Sequence, residues 1–501
     1  MKIAARSLIL SAIVSATSLH AEVKPNALFS DGAVLQRNLA VPVWGSAKDG
    51  EKVTVKFQDQ SVSTVAKDGK WLVRLEPLKE GQAAAMTISG ENTVTITNVV
   101  VGEVWICGGQ SNMEFRLERA ANSEEAIPAA NDPQLRLFTV RPSSKDEPQS
   151  EAPVITWTEC TSATVTKFSA VGYFFGRDLR KALNVPVGLI SSSLGSTPAE
   201  AWTERKTLES IPELRPIVEK QDKVAAEFDP AKLAEQNKQL AEKYLQDVEI
   251  AKSEGKPAPH NPQALLAPPE NERRPCALYN GMIAPLQPYA IRGAIWYQGE
   301  SNNRDPMRYQ TLFPAMIGSW RSAWTQGDFP FLFVQIAPCR DMTPELREAQ
   351  LLTWQKTPNT AMAVTTDVGN AKDIHPTQKE PVGARLALAA RALAYGEQIE
   401  YSGPVYDSNQ IQGSTVILSF KHVGQGLMAK SGKLKGFTIA GADRQFVPAE
   451  AKIVGETVVV SNSNVPSPVA ARYGWANVPE VNLYNRDGLP ASPFRTDLGV
   501  K

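Results

Sequence analysis

The pattern of apolar and polar positions divides the chain into three stretches. Up to residue 101, short alternating or β-branched runs recur at Leu39–Trp44, Lys52–Phe57, Ser61–Ala66, Trp71–Leu75, Met86–Ser89 and Thr93–Val101. Gly45, Asp49-Gly50, Asp68-Gly69 and Gly90 punctuate them, a spacing that predicts a small β-sandwich over 22–101. After Val101 the period changes. Val104–Cys107, Val187–Ile190, Ile291–Tyr297, Pro330–Ile336 and Ala361–Thr366 read as buried strands. Phe168, Val171, Phe175, Leu179 and Ala182 recur at helical spacing until Asn184 and Pro186; a second helix from Gln378 to Tyr395 carries Val382, Leu386, Ala389 and Leu393 on one face. Strands alternating with helices predict an α/β domain over 102–400, its mostly parallel sheet covered on both faces. Strand patterns return at Thr415–Phe420, Phe437–Ala440 and Thr457–Ser461, predicting a second β domain or β extension over 401–501.

Two segments depart from this plan. Residues 1–21 join Lys2 and Arg6 to a short apolar run (Leu8, Ile9, Leu10, Ile13, Val14) and then small residues, the layout of a signal peptide for a secreted or periplasmic protein. That run is too short to span a bilayer, and no later stretch reaches the roughly 18 apolar residues needed. Between about 204 and 269 the composition turns to Glu, Lys, Gln and Ala, with Leu233, Leu240, Tyr244 and Val248 near one helical stripe, before a tract rich in proline. This insertion reads as a solvated helical hairpin in preference to a lid. Fifty-three basic residues balance fifty-three acidic ones, so no global charge draws the chain to nucleic acid or an anionic membrane. Cys107, Cys160, Cys276 and Cys339 are widely spaced and show no zinc pattern; export permits disulfides, and Cys107 reads as a small buried apolar residue.

Histidine is scarce, which narrows the search for chemistry. Of four, only His375 lies in the α/β stretch proper, in Asp373-Ile374-His375-Pro376 between a strand and a helix. An Asp two residues before a His is placed to accept its ring N–H and orient it. Gly108-Gly109-Gln110-Ser111-Asn112-Met113 follows the Val104–Cys107 strand, so a sharp glycine turn projects the Ser111 hydroxyl above the sheet and offers its N–H to an oxyanion. This is not the Gly-x-Ser-x-Gly elbow of an α/β-hydrolase. Gly195, in Ser191–Thr197, and Gln298, in Trp296–Asn302, also follow predicted strands, and strand carboxyl ends share one rim of a parallel sheet. A nucleophile, a base with its orienter and two further oxyanion donors make a set for acyl transfer.

Gly-Gln-Ser-Asn-Met after Glu103-Val104-Trp105, then Trp-Tyr-Gln-Gly-Glu-Ser-Asn, then Asp-Ile-His-Pro, resemble the sialate O-acetylesterase family of the SGNH hydrolase superfamily. The likeness extends to Leu28-Phe29-Ser30-Asp31, Ala170–Phe175, Pro198–Trp202, Leu278–Met282, Trp475-Ala476-Asn477 and Pro493–Asp497, nearly the whole chain after the leader. It implies an SGNH-type, flavodoxin-like three-layer α/β domain flanked by β-sandwich-like regions. It also implies a serine carbohydrate esterase with Ser111 as nucleophile, His375 as base and acid, and Asp373 as orienter. The oxyanion donors it implies are the N–H groups of Ser111 and Gly195 and the Gln298 side chain. No metal or cofactor is expected; the expected partner is an O-acetylated carbohydrate. Family members usually read Trp-Gly-Gly-Thr where this chain has Leu194-Gly195-Ser196-Thr197, so the oxyanion loop is a point of divergence. Glu300 is a second carboxylate that either competes with Asp373 to orient His375 or is a buried structural carboxylate bonded to the sheet rim, with Asp373 favoured as orienter by adjacency.

O-acetylated sialic acid is the first substrate expected. The alternatives are acetylxylan or another acetylated polysaccharide, and a carbohydrate-binding protein that keeps the fold without the chemistry, since fold and triad alone do not name the alcohol released.

Overall fold

A computed structural model of the protein describes residues 22–151, 156–262 and 264–497. The expected leader, 1–21, lies outside the described residues. One strand organises the rest. β1, Thr93–Gly109, runs seventeen residues where the sequence pattern broke in two at Gly102-Glu103. Its first half pairs with Ala84–Ser89 and Val34–Gln36 of the N-terminal β region, and its second half becomes the centre of the main sheet. The break in pattern has a physical origin. Glu103 is a fully buried carboxylate that accepts from the Gln36 amide and from the Arg37 and Arg292 guanidiniums. Its charge is tolerated inside because donors surround it. A Cβ on Gly102 would lie 2.0 Å from the Pro186 carbonyl oxygen, so the strands meet there only through glycine.

After β1 come α1 (Ser111–Glu114), β2 (Asp132–Thr139), β3 (Thr158–Cys160), α2 (Ala170–Leu183) and β4 (Val187–Ser193). β5 (Gly293–Tyr297), α3 (Pro306–Trp324), β6 (Phe331–Val334), α4 (Pro344–Lys356), β7 (Thr360–Ala363) and α5 (Glu380–Tyr395) follow. The main sheet runs β3-β2-β4-β1-β5-β6-β7, parallel throughout except for β3 against β2. Period-two alternation sorts its side chains to two cores. Trp105, Ile295 and Leu332 pack with Phe175 of α2 and Leu386 of α5; Ile106, Trp296 and Phe333 pack with Phe313 and Trp320 of α3 and Leu346 of α4.

The flanking regions follow the expected β pattern. Val41–Ser46, Lys52–Phe57, Gln60–Val65, Lys70–Leu75 and Ala84–Ser89 precede β1, while Val405–Gln412, Thr415–Lys421, Glu450–Val454 and Thr457–Ser461 form a sheet after α5. The C-terminal region has its own core around Leu418, Phe437 and Tyr473. Between β4 and β5 the insertion forms helices Arg205–Ser210, Arg215–Ala226 and Pro230–Ser253. The last buries no residue, and its Leu233, Leu240, Tyr244 and Val248 stripe is half-buried. All four cysteines are buried and unpaired. Among the described residues no helix is long and apolar enough to cross a membrane.

Arg495, near the C-terminus, clamps Glu348 of α4 through two bonds of 2.8 Å, and the Glu348 side chain is only 5% exposed. Arg495→Ala strands that carboxylate and is expected to cost about 2 kcal/mol, less than the loss of a fully buried pair because Arg495 itself meets solvent. A lower melting temperature, with a smaller drop for Arg495→Lys, is the expected thermal-denaturation result; an unchanged one contradicts the clamp.

Candidate active site

The site is built at the carboxyl end of β1. Gly109 has φ +142°, and a Cβ there would lie 2.2 Å from the Tyr297 carbonyl oxygen of β5, so only glycine lets the chain turn this close to its neighbour. The Gln110 N–H then bonds that same carbonyl at 3.0 Å, and Ser111 opens α1. An N–H in this first position has no acceptor in a preceding turn. The Leu194 N–H bonds the Gly109 carbonyl at 3.1 Å, drawing the loop after β4 alongside.

His375 arrives from the loop between β7 and α5. Its Nε2 lies 2.9 Å from Ser111 Oγ. Its Nδ1 lies 3.5 Å from Asp373 Oδ1, an electrostatic contact and not a tight hydrogen bond, while its backbone N–H bonds the same oxygen at 2.8 Å. Burial holds the imidazole below the ordinary histidine pKa; the Asp373 charge opposes that depression, and the Lys379 and Arg119 cations add to it. The neutral, proton-accepting form of His375 is thereby favoured.

Of the two carboxylates weighed for orientation, Asp373 meets the imidazole. Glu300 is buried and its Oε1 accepts from Asn112 Nδ2 at 2.6 Å. Burial raises its pKa, against the opposing influence of Asn112 and the Lys379 charge. Asn112 is the residue sequence reasoning passed over. Its amide nitrogen also donates to the Ile374 carbonyl at 3.0 Å, and its oxygen accepts from Lys379 Nζ at 2.5 Å. Lys379 is fully buried, with its ammonium 4.8 Å from the Phe115 ring centre and 5.2 Å from that of Tyr297. Burial lowers its pKa to about 7 despite the attraction of Glu300 and Asp373. One asparagine thus ties the serine turn, the loop after β5 and the peptide preceding His375.

Two of the three expected oxyanion donors, the Gln298 amide and the Gly195 N–H, already have acceptors. Gln298 is fully buried, and its amide nitrogen bonds the Thr197 carbonyl at 3.2 Å and Asn302 Oδ1 at 2.7 Å, while its oxygen accepts from the Tyr309 hydroxyl at 3.1 Å. A buried amide must be satisfied, and these partners take both its hydrogens. Gln298 is therefore a brace for the 194–197 loop and not a free donor. The Gly195 N–H bonds Glu114 Oε2 at 2.8 Å, so it too has an acceptor. Among the described residues no group of three His, Cys, Asp or Glu side chains is arranged to hold a metal ion.

A serine hydroxyl bonded to a histidine backed by a carboxylate, on the carboxyl rim of a parallel sheet, is the arrangement of the ester hydrolases that use a serine. A family model described as carbohydrate esterase, sialic acid-specific acetylesterase, matches residues 271–392, and the sialate O-acetylesterase of Rattus norvegicus is 30% identical over 90% of this chain and 90% of its own. The chain belongs to the sialate O-acetylesterase family of SGNH-like esterases, and it is a carbohydrate esterase. The human sialate O-acetylesterase is 29% identical over 92% of this chain and 90% of its own. The crystal structure of a carbohydrate acetylesterase from Xanthomonas citri is similar too, with 37% identity, a TM-score of 0.81, and coverage of 95% of this chain and 100% of that one.

His375 must be neutral to accept a proton, so kcat/KM is expected to fall on the acid side through a pKa below the ordinary histidine value of about 6.5. Lys379→Met removes a cation that disfavours the imidazolium, so the acid limb moves to higher pH. A pH profile of the variant with its acid limb unmoved, or moved lower, contradicts this coupling.

Proposed function

We propose that this protein is an exported serine esterase that removes O-acetyl groups from sialic acid through an acetyl-serine intermediate. The observation that carries the reading is the 2.9 Å contact between Ser111 Oγ and His375 Nε2. In the first step the Ser111 proton passes to Nε2 as Oγ attacks the acetyl carbonyl. Asp373 stabilises the imidazolium that forms, and the tetrahedral oxyanion is held by the N–H groups of Ser111 and Gly195. His375 then returns its proton to the departing sugar oxygen, leaving acetate esterified to Ser111. Water, deprotonated by the same imidazole, attacks that ester, and the imidazole returns the proton to Ser111 Oγ as acetate leaves.

The parallel sheet with helices on both faces supports an SGNH-type, flavodoxin-like three-layer domain over 102–400, with the insertion at about 204–269. The strands on either side support separate β regions over 22–101 and 401–501. The basic and apolar character of 1–21 supports export to a periplasm or beyond.

A second reading of the substrate has its own support. The Xanthomonas citri protein is more similar in sequence than the mammalian relatives, and its description names a carbohydrate without naming sialate. Acetylated xylan or another acetylated polysaccharide is the corresponding substrate. A binding protein without chemistry is disfavoured, because serine, histidine and carboxylate stand together.

Acetate release by wild type and Ser111→Ala, measured in parallel on O-acetylated sialic acid and acetylated xylan, tests the reading. Release from sialic acid with loss of at least about 10,000-fold in the variant is the expected result. Release mainly from xylan selects the second substrate, and a variant that keeps near-wild-type activity refutes Ser111 as nucleophile.

A further inference from the structure

The Gly195 N–H, one of the two oxyanion donors in the proposed mechanism, is occupied by a carboxylate. Glu114 ends α1, three residues after Ser111, and residues at that spacing share a helix face. Its side chain therefore rises beside the nucleophile and reaches the Gly195 N–H at 2.8 Å. The position one bond out from Gly195 Cα lies 3.2 Å from Glu114 Oε2 and 3.4 Å from Ser111 Cβ, so carboxylate and nucleophile approach Gly195 from the same side. An anionic oxygen accepting from this N–H is what the tetrahedral intermediate must become. Glu114 takes that place first.

Resting on the proposed mechanism, we infer that Glu114 is a specificity-determining residue that holds Gly195 closed until a substrate hydroxyl draws its carboxylate away. The chemistry follows from what a carboxylate accepts. Glu114 is solvent-exposed at the rim, so its oxygens meet an arriving sugar. A sugar ester with a free hydroxyl near the acetyl group supplies a donor to replace the Gly195 N–H as Glu114's partner, and the released N–H turns to the acetyl oxygen. An ester without hydroxyls offers no such exchange and must break the charge-assisted bond uncompensated. The site would therefore favour partially acetylated sugars over simple acetate esters by controlling access to the oxyanion donor, in addition to any pocket shape.

The opposing possibility is that Glu114 merely braces the loop. Thr197 Oγ1 to the Leu194 carbonyl (2.7 Å), Trp202 Nε1 to Thr197 Oγ1 (2.9 Å) and the Gln298 amide to the Thr197 carbonyl (3.2 Å) already hold it, so the loop has supports independent of Glu114.

The test compares wild type, Glu114→Ala, Glu114→Gln and Ser111→Ala on p-nitrophenyl acetate, which has no hydroxyl, and on O-acetylated sialic acid and partially acetylated xylan, which do. Removing a charge-assisted bond from the donor is expected to raise kcat/KM of Glu114→Ala on p-nitrophenyl acetate roughly tenfold. Activity on the hydroxylated substrate that wild type prefers stays level or falls, so the preference for it collapses. Glu114→Gln keeps an uncharged acceptor for Gly195 and is expected to lie between the two. Parallel losses on all substrates would assign Glu114 to bracing, and unchanged preference would remove it from specificity; either result overturns the inference. If Ser111→Ala remains active, the proposed mechanism itself fails. An inactive Ser111→Ala beside an unaltered preference in Glu114→Ala rejects only the inference about Glu114.

Discussion

The Asn112 amide is held on three sides, by the buried Lys379 ammonium, the buried Glu300 carboxylate and the Ile374 carbonyl, and the site depends on that arrangement. Burying an ammonium and a carboxylate near each other is costly unless their hydrogen-bonding capacity is used. Asn112 accepts from Lys379 and donates to one Glu300 oxygen, and so links the two groups, while the other Glu300 oxygen has no partner among the described residues. Because its own residue adjoins Ser111 and its third partner adjoins His375, fixing the amide also fixes the approach of Ser111 and His375. The rings of Phe115 and Tyr297 against the ammonium complete a buried polar floor beside the serine turn.

This floor converts sheet topology into chemistry. Parallel pairing of β1 with β4 and β5 brings three loops to one rim, and the close backbone contact at Gly109 sets the height of the serine turn against β5. Gln298 serves the same rim. With Asn302 it secures the loop that carries Gly195, and Asn302 in turn donates to Glu200 at 2.8 Å and accepts from the Ala199 N–H at 2.9 Å. The Leu194-Gly195-Ser196-Thr197 segment is therefore supported by polar side chains, and Ser196 adopts φ +61°, in the left-handed region that favours glycine.

Much of this was legible in the sequence because the relevant signals were local. Period-two runs located the N-terminal strands, and Gly-Gly-Gln-Ser after an apolar run located the turn with its serine. What escaped depended on partners far along the chain. Glu103 looked like an interruption of strand β1 because its neutralising residues, Arg37 and Arg292, are distant in sequence. Lys379 is a charge near a helix start, and nothing local announces that it is buried against Asn112, Phe115 and Tyr297. Pro314 and Gly318 obscured helix α3, whose Phe313, Met316, Ile317 and Trp320 bury a continuous face. For Gln298 the loop position was informative, but the direction of its amide was set by Thr197 and Asn302 after folding.

In the proposed reaction Ser111 Oγ takes the acetyl group, and the neighbouring network holds it against His375. Rapid-quench mass spectrometry of the wild-type protein during turnover of an acetylated sugar tests this most directly. One added acetyl group on the peptide containing Ser111, appearing and decaying with turnover, is the expected result. Acetylation of another residue, or turnover in which water oxygen is shown to enter acetate without any acetyl-enzyme passing through Ser111, would contradict it.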